Sequence, residues 1–319
     1  MYRTCLRNVT CLARSRALST ASSIVEIKQT DGAGRGLFAK HPVLAGAVFQ
    51  RVDPVVAHPT LSSMDTVCYH CLQPRLIPGV PSTESSRFRP EFCGPECEEV
   101  AMGSYMCVQN QVKIAPLLDH CRKDDQKFPL LIARLVFLIL SRSSKSDALA
   151  PLCFANANPP PEQWLHEHSL LRSALEAAGW QHEDIAFCTA EWYCHQMAKL
   201  HLNAFRVELV RPFSFNSSEM LQAASAAITG DSSGGYGACG TGVYLVPSFL
   251  NHSCDPNVGV EFPDNNSTMV LRARRDIQAG EQLHITYIDA SATREVRQKE
   301  LHWGYGFKCD CARCSEELN

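Results

Sequence analysis

The chain has 319 residues, 45% of them hydrophobic and 20% charged, enough for one large folded domain or two small ones. Its formal net charge of −3 argues against a basic, non-specific nucleic-acid binder, and no apolar run reaches the roughly 20 residues of a membrane-spanning helix. The 16 cysteines, in a long chain without the apolar core of a secretory signal, point to a reducing interior and metal-binding thiolates rather than a disulfide scaffold.

Residues 1–23 carry Arg3, Arg7, Arg14 and Arg16 and no acidic residue, with Leu6, Val9, Ala13 and Ala17 on one helical face. That is the composition of a mitochondrial or chloroplast transit peptide, with a disordered basic tail as the other reading. The segment is set outside the fold, and the expected location is one of those organelles, with the nucleus as the alternative. The remaining body is more acidic than the whole chain and suits a basic partner such as a lysine-bearing peptide.

Ile24 to Lys28 alternates as a strand does, Asp31 to Gly36 is turn-rich, and Ala47 to Val52 reads as a second strand. Val67 to Val100, rich in Cys and Pro, has the look of a small nested module. From about Gln109 to Arg206 the pattern is helical. Pro129 to Leu140 reads as a buried helix interrupted by Arg134; Trp164, His168, Leu171 and Leu175 mark another, with Gly179 as its C-cap. Ile185, Cys188 and Trp192 open a third. Gly230 to Gly242 reads as a loop, Val243 to Leu250 is apolar, and Thr268 to Arg272 and Gln282 to Tyr287 read as strands, with a turn at Ala279-Gly280. The expected class is α+β: strands, a helical insertion, then strands again.

Two groups of cysteines have ligand spacing. Cys68-x2-Cys71 and Cys93-x3-Cys97 supply the four thiolates of a tetrahedral zinc site, with His70 as a competing ligand inside the first pair. Cys309-x-Cys311-x2-Cys314 supplies only three, so a fourth ligand is expected from elsewhere. The other cysteines, Cys107, Cys188 and Cys194 among them, lack such spacing and read as buried thiols.

Residues 248–257 are Ser-Phe-Leu-Asn-His-Ser-Cys-Asp-Pro-Asn; Ala-Gly-Glu-Gln-Leu-His-Ile-Thr-Tyr follows, ending at Tyr287, then Tyr305-Gly306-Phe307 and the last cysteines. This ordered set resembles the SET-domain lysine methyltransferases, with Gln282 where the family has a second Glu. Gly34-Arg35-Gly36-Leu37-Phe38-Ala39 looks like the family's first glycine motif. The interrupting cysteine module is similar to that of the SET-and-MYND subfamily, reduced to ligands for one zinc. Thr66-Val67-Cys68-Tyr69, Asn203-Ala204-Phe205-Arg206 and Tyr287-Ile288-Asp289-Ala290-Ser291 resemble short plant SET proteins of the trithorax-related class. The likeness runs from about residue 24 to the C-terminus.

The resemblance implies a SET fold of short sheets over 24–289, with a nested MYND-like zinc module at 66–100, a helical insertion at 109–206 and a zinc-binding post-SET segment at 290–319. It implies a protein-lysine N-methyltransferase that uses S-adenosylmethionine on histone or non-histone lysines, hence a possible chromatin regulator; the alternative is a catalytically silent SET and zinc binding module. Tyr287 would be catalytic, aligning the amine and the transferring methyl. Gly34, Arg35, Gly36, Asn203, Asn251, His252, Tyr287 and Phe307 would hold the cofactor. Arg35 reads equally as a solvated turn residue, and Asn203 as a helix-end polar residue. Phe307 would line the lysine channel or cover the cofactor. Cys254 would be the fourth ligand of the C-terminal zinc, so two structural zinc ions are expected. The partner is a lysine-containing protein, a histone tail or an organelle protein, and not a nucleic acid or membrane.

Overall fold

A computed structural model describes residues 9–10, 24–75, 90–155, 157–210 and 236–317. Apart from Val9–Thr10, the expected tail at 1–23 lies outside them, as do residues 230–235 of the glycine-rich stretch. Strands β1 (Val9–Thr10), β2 (Val25–Thr30), β3 (Gly34–Ala39), β4 (Val48–Val52) and β5 (Val56–Pro59) precede the helical insertion. Within or after it come β6 (Phe154–Ala155), β7 (Ala204–Val210), β8 (Tyr236–Val243), β9 (Asn251–His252), β10 (Val258–Glu261), β11 (Met269–Ala273) and β12 (Gln282–Ile285). The described strands form small sheets in the orders β2-β3-β12-β9, β10-β11-β4, β5-β8-β7 and β1-β6. No described helix is long and apolar enough to cross a membrane.

Strand β12 changes partner along its length. Gln282 and Leu283 pair antiparallel with Phe38 and Leu37 of β3, whereas His284 and Ile285 pair parallel with Asn251 and His252 of β9. The side-chain alternation of a strand sends Leu283 and Ile285 inward, where they pack with Val25, Leu37, Phe249 and Leu250. One four-residue strand thus joins the opening glycine motif to the Asn-His-Ser-Cys segment.

The helical insertion has its own core. Every residue of Phe128 to Phe137 in the helix Phe128–Leu140 is buried, including Arg134, whose guanidinium lies 4.0 Å from the Tyr69 ring centroid and 4.6 Å from that of Tyr105. Helix Glu162–Ala177 stops where Gly179 takes φ +89°, a left-handed conformation open to glycine. Helix Ala190–Asn203 is capped by Thr189, whose Oγ1 accepts the Trp192 N–H at 3.1 Å.

Cys188 and Cys194 are buried as expected, but Cys107 is exposed, and three expectations about the elements shift as well. Helix begins at Pro95, not near Gln109, so Cys97 stands on it, and the insertion gives way to β7 at Ala204. The glycine motif is not a loop throughout: the turn closes at residue 33, and Gly34 begins β3. The stretch ending at Gly242 is a strand from Tyr236, the middle strand of its sheet. Its glycines serve close packing rather than turning. A Cβ on Gly240 would lie 2.5 Å from Leu72 Cδ1 and 2.7 Å from the His58 carbonyl, and one on Gly242 would meet the Tyr244 ring at 2.9 Å.

Candidate active site and zinc centres

The β9–β12 pairing places Asn251 and His252 beside Tyr287, two residues beyond β12. Tyr287 is fixed at three points. Its hydroxyl donates to the Leu250 carbonyl at 2.6 Å, its N–H donates to His252 Nδ1 at 3.1 Å, and its carbonyl accepts the Tyr305 hydroxyl at 3.4 Å. The Tyr305 ring lies 4.8 Å away. Burial, helped by Tyr305 and Cys153, pushes the Tyr287 phenol above its ordinary value, so it keeps its proton at neutral pH. A protonated phenol of this kind can orient a neighbouring group but is not a strong base.

The His252 tautomer follows from its partners. A backbone N–H can only donate, so Nδ1 accepts from Tyr287 and the ring proton sits on Nε2, 3.3 Å from Cys254 Sγ. Burial, with His284 and Arg297 nearby, lowers the imidazole to about 4 and keeps it neutral. Both ring nitrogens are thus occupied within the protein.

The opening motif meets this segment directly. Asn251 Nδ2 donates to the Arg35 carbonyl at 3.2 Å, and a Cβ on Gly36 would lie 3.2 Å from Asn251 Nδ2 and 2.5 Å from Gln282 Nε2. A Cβ there would crowd the tips of the Gln282, Thr30 and Asn251 side chains, which would have to shift. The Arg35 guanidinium lies 4.9 Å from the Phe249 ring centroid, donates to the Pro151 carbonyl, and keeps a buried Nε without a partner. Asn203 donates to the carbonyls of Cys153 and Lys199, both at 2.8 Å, which brings the end of the insertion to the segment Arg35 touches. Phe307 approaches from the far side, its ring 6.1 Å from His252. The sequence-derived residues thus gather around Asn251-His252. Gly34 marks the edge, at φ +71° with open space where a Cβ would stand.

A cavity of about 660 Å³ opens over Tyr287, walled by Phe205, Leu250, Ile285 and Tyr305, with Glu208 and Glu261 among its polar lining. Its size and mixed lining suit an extended side chain entering from a peptide.

Both cysteine sets close. Cys68, Cys71, Cys93 and Cys97 form one group, and Cys254, Cys309, Cys311 and Cys314 the other, with all sulfurs of a group within 4.8 Å of one another. Zn–S bonds of about 2.3 Å put tetrahedral sulfurs about 3.8 Å apart. The recorded separations are 3.7 Å for Cys71–Cys93, 3.4 Å for Cys93–Cys97, 3.9 Å for Cys254–Cys309 and 3.5 Å for Cys254–Cys314. The donor sets and spacing fit zinc, and four protein ligands make each site structural. His70 is not needed; its ring stacks on Tyr105 at 6.1 Å.

Sequence reading missed several residues. Asn257, 1% exposed, ties its loop to β12. Tyr305 holds the Tyr287 backbone. Gln298 brackets Cys309, accepting its N–H at 3.0 Å and donating to its carbonyl at 2.6 Å. Arg297 lies among the thiolates. Asn257 and Tyr305 stood within the quoted motifs without a role of their own; Arg297 and Gln298 stand on the helix Arg294–Tyr305, in a stretch that carries no motif.

The SET domain family profile matches residues 34–288. A protein of Arabidopsis thaliana named histone-lysine N-methyltransferase ATXR4 is 34% identical over 91% of this chain and 86% of its own length. A SET and MYND domain-containing protein of Dictyostelium discoideum is 27% identical over 83% of this chain and 76% of its own. The mouse histone-lysine N-methyltransferase SMYD3 is 27% identical over 92% of this chain but only 62% of its own length.

Proposed function

The chain belongs to the SET-domain family; we propose that it is a protein-lysine N-methyltransferase dependent on S-adenosylmethionine, that Tyr287 is its catalytic tyrosine and that Asn251, the His252 backbone, Asn203 and the Gly34-Arg35-Gly36 strand hold the cofactor. The observation that carries this assignment is the three-point fixation of Tyr287 beside Asn251-His252, beneath a cavity wide enough for a lysine side chain.

S-adenosylmethionine, when bound, supplies a methyl on a positively charged sulfonium. The protein's part is to present a neutral amine in line with it. Free lysine has a pKa near 10.4, and passage into the apolar walls of Phe205, Ile285 and Tyr305 lowers it by removing water. The Tyr287 proton is committed to Leu250, so the phenol oxygen is left to accept an N–H of that amine and orient its lone pair. Alignment of this kind supplies the main acceleration of a direct displacement. Arg35, with its spare buried Nε, suits the cofactor's carboxylate, and Gly36 lets the backbone come close.

The substrate is a lysine-bearing protein. The Arg-rich, acid-free segment 1–23 supports an organelle protein as that substrate, in a mitochondrion or chloroplast; a histone tail, and nuclear residence, is the second reading, favoured by the names of the relatives. The deciding experiment is methyl transfer from labelled S-adenosylmethionine by the full chain, on organelle extract and on histones, with Tyr287→Phe beside it. Label should appear on one substrate set and fall by about a hundredfold or more in the variant, while cofactor affinity stays within a few-fold. Equal labelling by both proteins would remove Tyr287 from the mechanism. Cofactor binding without turnover on either substrate would favour the silent binding module.

A further inference from the structure

The two sulfur clusters differ in what faces them. In the first, Cys68 is buried, Cys71 and Cys97 are half-buried and Cys93 is exposed; backbone N–H groups face Cys68 and Cys71, but among the described residues no guanidinium or other charged side chain donates to its sulfurs. In the second, Cys254, Cys309 and Cys314 are buried, and a guanidinium lies against them. Arg297, 1% exposed, directs Nε to Cys254 Sγ at 3.3 Å and Nη2 to Cys314 Sγ at 3.7 Å. Its other N–H groups go to the Ala292 carbonyl at 2.7 Å and to Glu317 at 2.5 Å.

Four thiolates around a divalent zinc leave a net charge of −2, and burying that charge is costly unless it is paired. Arginine stays protonated under all relevant conditions, and its planar fork can serve two acceptors at once. Each N–H aimed at a thiolate withdraws electron density from the sulfur. That makes the sulfur less basic and less nucleophilic, so proton-assisted or ligand-assisted loss of the metal slows. Were Arg297 present only to pair with Glu317, itself a third exposed, Nε would have no reason to face Cys254.

We propose that Arg297 is the positioning residue that retains the C-terminal zinc, by donating to two of its thiolates and offsetting their charge, and that the two zincs therefore differ in lability, the one at Cys68, Cys71, Cys93 and Cys97 leaving first. The inference concerns metal retention and is independent of which protein is methylated.

The test is zinc release from the zinc-loaded full chain into excess EDTA, followed by a zinc-sensing dye. Wild type should release one equivalent quickly and one slowly. Cys97→Ser should show only the slow phase, which assigns the phases. Arg297→Met should speed the slow phase by about 10–100-fold and leave the fast phase alone, with Arg297→Lys between them. Glu317→Gln should stay within about twofold of wild type. Should Arg297→Met fail to fold, cobalt(II) read in the Cys97→Ser background supplies the second measurement. There Arg297→Lys should move the sulfur-to-cobalt charge-transfer band to lower energy, because an undonated thiolate is easier to oxidise. A slow phase unchanged in Arg297→Lys, with the cobalt band unmoved, would overturn the proposal.

Discussion

Asn257 Oδ1 accepts the backbone N–H of His284 at 2.8 Å, which adds a side-chain clasp between the end of the Asn-His-Ser-Cys-Asp-Pro-Asn segment and the strand leading to Tyr287. The same amide donates to the Gln282 carbonyl at 2.9 Å and to Glu281 Oε1 at 3.0 Å. Asn257→Ala would leave buried backbone groups without partners, so it should cost about 2–4 kcal/mol in urea unfolding. Methyl transfer should fall through kcat. A loss under about 0.5 kcal/mol would show the clasp to be dispensable.

Metal content separates the two thiolate sites. The chain should carry two zinc ions, and Cys254→Ser should carry one. That variant should also lose methyl transfer, because Tyr305 and Phe307 lean on Tyr287 and His252 from a segment anchored by Cys309. Elemental analysis checks the first part. Two zincs per chain in Cys254→Ser would exclude it as a ligand.

Gly240 and Gly304 should answer the same substitution with opposite signs. Gly240→Ala drives a Cβ into Leu72 and the His58 carbonyl and should cost about 1–3 kcal/mol. Gly304, in the last turn of its helix with nothing within 4 Å, should tolerate alanine or gain up to about 1 kcal/mol. Thermal or urea unfolding of the zinc-loaded proteins measures both.

Acid should weaken the protein through His58. Burial first, then the Arg134 guanidinium, hold its imidazole well below the ordinary value, against the Pro59 carbonyl. A depressed folded-state pKa means the stability is present above the unfolded value of about 6.5. It is lost as pH falls below that value, by up to about 1.4 kcal/mol per pH unit. Urea unfolding between pH 7.5 and 5.5 should therefore show a steeper loss in wild type than in His58→Asn. Equal slopes would mean that His58 titrates alike in folded and unfolded chains.

Local chemistry was legible in the sequence; tertiary contact was not. Cys68, Cys71, Cys93 and Cys97 announced a site by spacing, because paired ligands close together need little help from the fold. Cys254 could be assigned only through the family likeness, since it lies 55 residues from Cys309. Gly240 and Gly242 misled because a glycine admitted for close packing is written the same way as one in a turn. Arg297 carried no signal: its meaning lies in sulfurs from Cys254 and Cys314, on either side of it in sequence. Asn257 stood in the quoted motif, yet its partner His284 is 27 residues further on.

The division of the C-terminal zinc site between Cys254 and the last cysteines also governs when the protein becomes an enzyme during synthesis. Sheets β2-β3 and β10-β11-β4 draw on residues before 274 and can pair while the chain is still being made. The fourth sulfur arrives only with residue 314. Until then Tyr287 lacks the anchored helix whose Tyr305 holds it, so a chain ended before that cysteine should lack methyl transfer.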